Sequence, residues 1–118
     1  MSDTDSTDLI LGKWKLVKAE EYDNGQLKKS YTEADFGIQT ILFMNTGEAY
    51  QEENGSSYIP TYTISGGWLT LDFSRDFGGR GIIQVYKLNK LTKKELVLYV
   101  YNDEEPDAEG RLFYNRVE

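Results

Sequence analysis

At 118 residues the chain is long enough for one hydrophobic core and too short for two domains of ordinary size. Its 13 basic and 20 acidic residues give a formal charge of -7, which argues against nucleic acid as a partner, because phosphate backbones demand a surface rich in Lys and Arg. It has no Cys and no His, so disulfides, thiolate metal sites and Ser-His or Cys-His nucleophiles are all excluded.

In chain order, "MSDTDSTD" at residues 1–8 is polar and acidic and reads as a disordered lead, with one folded domain over 9–118. Its composition is the opposite of a signal peptide, and no apolar run approaches the roughly 20 residues that a membrane helix needs. Such a lead suits the tether of a processed, extracytoplasmic protein of the cell envelope or the start of a cytoplasmic one, and both stay open.

From Leu9 onward, short apolar alternations bounded by Gly, Asn, Asp or Ser recur every 8 to 12 residues or so, the spacing of an antiparallel all-β chain. The expected strands span 13–20, 38–44, 48–53, 59–65, 69–73, 81–89, 95–101 and 111–117. Between the first two, Asp23 to Gly25 is able to turn a small ninth strand. Thr32 and Asp35 then suit a capping box for one helical turn ending at Gly37. This is the longest excursion, and the natural candidate for a lid.

The later hairpins carry their own registers. Asn45, Thr46 and Gly47 suit a three-residue loop pairing Phe43 with Ala49. The turn after "YTIS" pairs Ile64 with Leu69, Tyr62 with Leu71 and Thr63 with Thr70, and the turn after "LNKL" pairs Leu91 with Leu96 and Lys90 with Val97. Consecutive hairpins with short turns make a meander that removes its own edges by closing, here into a barrel of about eight strands. An interior of that size is filled by side chains or holds one small ligand.

Alternation along these strands turns Phe43, Gln51, Tyr62, Phe73, Gln84, Tyr86 and Tyr114 inward, together with Lys18, and these eight are the candidate cavity residues. Tyr99 and Tyr101 join them only if a bulge reverses their strand. An apolar interior with Tyr, Gln and Lys as polar handles suits a small hydrophobic or amphipathic molecule.

The remaining motifs carry little chemistry. "SRDFGGRG" is not a phosphate cradle, since a strand rather than a helix follows it, but it brings Arg75 and Arg80 to a loop where they are candidates for receiving an anionic head group at the barrel mouth. "NDEEPDAEG", residues 102–110, lacks the spacing of a calcium loop and reads as a solvated loop. The serines of "NGSSY" and "TISGG" are turn residues. No metal, no cofactor and no catalytic residue is expected.

Four motifs in succession resemble a known family. Gly12, Lys13 and Trp14 match the Gly-x-Trp start of the first strand in lipocalins. "ILFMNTGEA", "YTISGGWLTL" and "YKLNKLTKKELVL" resemble successive hairpins of the bacterial lipocalin-like domains common in Bacteroidetes, so that the likeness spans residues 9–118. The resemblance implies an antiparallel up-and-down barrel open at one end, usually with a hydrophobic ligand inside and no catalysis. It also implies that an Arg on the last strand packs across the Trp. Arg116 in "YNRVE" stands in the matching place, with Arg111 as a second candidate, and Trp14 with Arg116 is the expected closing pair. The chain departs from secreted lipocalins in being shorter, in lacking their disulfides and in showing no long helix before the final strand. The expected function is sequestration of a small ligand by a monomer. Its rival is a barrel with a filled core that engages a protein or glycan of the cell envelope.

Overall fold

Alternating apolar residues, interrupted by Asn-Gly and Gly-Gly pairs, fold into strands joined by tight turns in the computed structural model, which describes residues 8–74, 82–102 and 105–117. The elements are β1 (Gly12–Asp23), β2 (Gln26–Thr32), α1 (Glu33–Phe36), β3 (Gln39–Phe43), β4 (Ala49–Glu53), β5 (Ser56–Tyr58), β6 (Thr61–Ser65), β7 (Trp68–Asp72), β8 (Ile83–Leu91), β9 (Glu95–Asn102) and β10 (Glu105–Val117). A helical turn at residues 8–10 precedes them. The β1–β2 and β4–β5 turns place Asn24 and Gly25, and Asn54 and Gly55, at positive φ, which is the demand of a two-residue hairpin and the reason for Asn-Gly there.

All strand pairs are antiparallel, in the order β5-β4-β3-β1-β10-β9-β8-β7-β6, with β2 alongside the later half of β1. The two ends of this order meet. Along β4 the pairs Glu53 with Ser56 and Gln51 with Tyr58 continue past Pro60 without a change of register. Ala49 N donates to Pro60 O at 2.9 Å, Glu48 bridges Thr61, and Tyr62 N donates to Gly47 O at 2.9 Å. β5 and β6 thus act as one strand interrupted at Ile59 and Pro60, where the proline has no N–H to give. With that seam, β1, β3, β4, β5–β6, β7, β8, β9 and β10 form a ring.

This is the antiparallel meander barrel expected from the alternation, and the hairpin registers agree residue for residue: Phe43 with Ala49, Ile64 with Leu69, Tyr62 with Leu71, Lys90 with Val97 and Leu91 with Leu96. Several strand boundaries differ, two of them with consequences for what surrounds the barrel's open end. β10 begins at Glu105, so most of the acidic stretch read as a loop is strand, paired with β9 and β1. The strand expected from residue 59 has its first pairs at Ser56, because Asn54 and Gly55 start the hairpin earlier.

The 21–37 excursion forms as the Asp23–Gln26 hairpin and the capped turn α1, in which Thr32 N donates to Asp35 Oδ2 at 2.9 Å. It is no lid. β2 extends the wall beside β1, and Asn54 holds the end of α1 through Phe36 O and Ile38 N.

The core fills one end of the barrel. Ile10, Trp14, Phe43, Leu69 and Leu96 are fully buried there, with Ile41, Ala49, Tyr62, Leu71 and Leu98 packed among them. Trp14 Nε1 donates to Ile10 O at 2.8 Å, which satisfies the indole that this burial would otherwise leave unpaired. Arg116 lies opposite Trp14 across β1 and β10, its Cζ 4.3 Å from the ring centroid. Its guanidinium also donates to the carbonyls of Leu9, Leu11 and Lys93, joining the N-terminal turn to the β8–β9 connection.

Candidate functional site

Strand alternation carries inward residues from the packed end to the other end of the barrel, where the filling stops. A cavity of about 370 Å³ opens there, lined by Gln51, Glu53, Tyr58, Phe73, Ile82, Gln84 and Tyr86. Each arrives by parity. Gln51 and Glu53 follow Ala49 along β4, Tyr58 pairs with Gln51, Gln84 pairs with Leu71, and Tyr86 pairs with Leu69. The volume lies within the range of small-molecule pockets. A wider depression of about 690 Å³ occurs where β1, β9 and β10 run on together. It is lined by consecutive residues such as Glu21, Tyr22 and Asp23, whose side chains leave opposite faces of the strand, so it wraps around strand ends instead of entering the barrel.

Apolar and polar groups divide the cavity. Phe73 is buried and meets Tyr58 edge to face, with ring centroids 6.3 Å apart. Opposite in character, Gln51 donates through Nε2 to Glu53 Oε1, and its own Oε1 is buried without a hydrogen-bond partner among the described residues. Burial, reinforced by the Glu53 carboxylate, pushes the Tyr86 hydroxyl up to about 12. Burial likewise raises Tyr114, with Tyr86 and Glu53 adding to the effect. Both phenols stay protonated at neutral pH.

Of the eight residues expected in the cavity, Gln51, Phe73, Gln84 and Tyr86 line it. Phe43 and Tyr62 point inward but belong to the packed end, their rings edge to face at 4.9 Å and the Tyr62 hydroxyl donating to Met44 O at 2.7 Å. Alternation gives the face of a residue and not its height along the barrel axis, and these two sit too low. Tyr114 packs against the core, within electrostatic reach of Tyr86 and Glu53, without lining the cavity.

Lys18 is a correction. A bulge between Leu16 and Lys18 shifts the register of β1 on β10, so Lys18 pairs with Phe113 instead of following Leu16 inward. Its Nζ stands 4.4 Å over the Phe113 ring and 3.6 Å from Glu20 on the outer wall. Tyr99 pairs with Arg111, whose guanidinium lies between the Tyr22 and Tyr99 rings at 3.8 and 4.7 Å. Arg111 is therefore occupied away from Trp14. Arg75 and Arg80 lie outside the described residues.

Sequence reasoning missed Glu53 and Tyr58. The signal for both was present: Glu53 has the parity of Gln51, and an Asn-Gly turn at 54–55 forces Tyr58 opposite Gln51.

Among known proteins, the model of a family described as a lipocalin-like domain matches residues 10–98. A crystal structure of a lipocalin-like protein from Bacteroides uniformis superposes with a TM-score of 0.61 at 18% identity, covering 92% of this chain and 99% of that one. At that identity the likeness concerns the fold. No curated protein matches the chain in sequence.

Proposed function

Because the chain belongs to the family of lipocalin-like domains, we propose that it is a container, holding one small apolar or amphipathic molecule at the open end of the barrel. The cavity beside Gln51, Phe73 and Tyr86 carries this reading. Binding draws on apolar area removed from water by Phe73 and Ile82, about 2.5 kcal/mol for each 100 Å² or so, while Gln51, Glu53 and Gln84 fix the polar end. The molecule is held and not transformed.

Fluorescence titration with N-phenylnaphthylamine, a neutral apolar probe, tests this together with native mass spectrometry of gently purified protein. Saturable uptake of one probe per chain, or a small molecule lost on denaturation, is expected. A native mass equal to the denatured mass, with no uptake of the probe, contradicts the container.

One observation favours the rival reading, a barrel that engages a protein or glycan. The outer wall of β7 to β9 exposes Trp68, Ile83, Val85 and Tyr101, with the Trp68 and Tyr101 rings 6.5 Å apart. Apolar side chains grouped on a sheet face suit a macromolecular partner.

A further inference from the structure

We infer that the cavity selects a molecule whose polar end is a hydrogen-bond-donating cation, an ammonium on an apolar tail, over a carboxylate on the same tail. The inference rests on the container reading and adds the ligand's chemical class. Its basis is the sign of the polar groups. Gln51 Oε1 is a buried acceptor that nothing among the described residues satisfies, and such a group gains most from a ligand that brings a donor. The amide cannot simply turn over. Its Nε2 is engaged by Glu53, and reversal would set Oε1 against a carboxylate. Acceptor and anion therefore stand side by side at the cavity.

Three further features agree. The described lining contains no Lys or Arg. Lys18, the cation that alternation alone would send inward, is turned to the outer wall by the β1 bulge. Tyr58 and Tyr86 line the cavity, and aromatic rings attract cations. A carboxylate head at this place meets Glu53, whereas an ammonium pairs with it and still has protons for Gln51. Phe73 and Ile82 receive the tail.

The test displaces bound N-phenylnaphthylamine from the intact protein at neutral pH with four dodecyl chains, each below its micelle concentration: dodecylamine, dodecyltrimethylammonium, dodecanol and dodecanoate. Dodecylamine is expected to bind about tenfold tighter than dodecanol, because it adds a charge-assisted hydrogen bond, and dodecanoate weakest, because its charge repels Glu53. Dodecyltrimethylammonium, charged but without a donor, falls between the amine and the alcohol. Glu53→Gln is expected to bring the amine and dodecanoate within about threefold of each other. Dodecanoate binding as tightly as the amine overturns the inference and leaves the container standing. A preference for the amine that survives Glu53→Gln overturns the role given to Glu53. Failure of the probe and of all four chains to bind overturns the container itself.

Discussion

A Cβ built on Gly12 would stand 2.5 Å from Nη1 of Arg116, the residue whose guanidinium covers Trp14. Gly12 also has φ +115°, a conformation that side chains strain to adopt. The Gly two residues before the Trp is thus explained from the far end of the chain: it leaves room for the arginine that seals the packed end. Gly12→Ala is expected to lower stability by about 2 kcal/mol, from backbone strain and the displaced guanidinium together. Urea unfolding checks this, and a midpoint within error of the parent would mean that the guanidinium relocates freely.

Arg116 joins Trp14 to three carbonyls, those of Leu9, Leu11 and Lys93. Arg116→Ala removes the charged donors and the stacked plate, and a loss of about 3 kcal/mol is expected. Arg116→Lys keeps the charge but neither the fork nor the plane, and less than half of the loss should return. Full recovery by Lys would show that charge alone matters at this position.

The packed end and the cavity respond to different substitutions. Phe43→Ala empties a fully buried site and is expected to cost about 3 to 5 kcal/mol. Gln84 is exposed on the cavity rim, so Gln84→Trp should narrow the opening with little change in stability. Uptake of N-phenylnaphthylamine is expected to weaken about tenfold in that variant. Unchanged uptake would move the binding site elsewhere.

Much of this was legible in the sequence because hairpin turns fix register. Asn45 to Gly47 and Gly66–Gly67 determine which residues face each other across β3–β4 and β6–β7, and alternation then sorts the two faces. What alternation cannot carry is a bulge or a depth. The bulge after Leu16 inserts one residue into β1 with no Gly or Pro to mark it, and Lys18 changes sides. Phe43 and Tyr62 share a face with Gln51 and Tyr86, yet only the latter pair borders the cavity, since depth depends on how strands tilt around the ring.

Two partly buried tyrosines give the stability a pH dependence. Tyr86 is raised to about 12 by burial first and by Glu53 second, and Tyr114 is raised in the same direction, against an ordinary value near 10 in the unfolded chain. Below pH 10 or so both states hold the proton and nothing is lost. As pH rises from there toward 12, the unfolded chain ionises while the folded one does not, so stability falls. Tyr86 alone contributes a loss of about 2 to 3 kcal/mol across that window. Urea midpoints at pH 8 to 11 check the slope, and Tyr86→Phe should flatten it. A slope that Tyr86→Phe leaves unaltered would place the responsible group elsewhere.

The most direct test of the container is where a bound molecule is felt. Amide NMR spectra recorded during a titration with N-phenylnaphthylamine should shift at Gln51, Glu53, Tyr58, Phe73, Gln84 and Tyr86 and stay fixed at Trp68, Val85 and Tyr101. Shifts gathered instead on Trp68, Val85 and Tyr101, with Gln51 and Tyr86 unmoved, would contradict the container and give the outer wall the binding role.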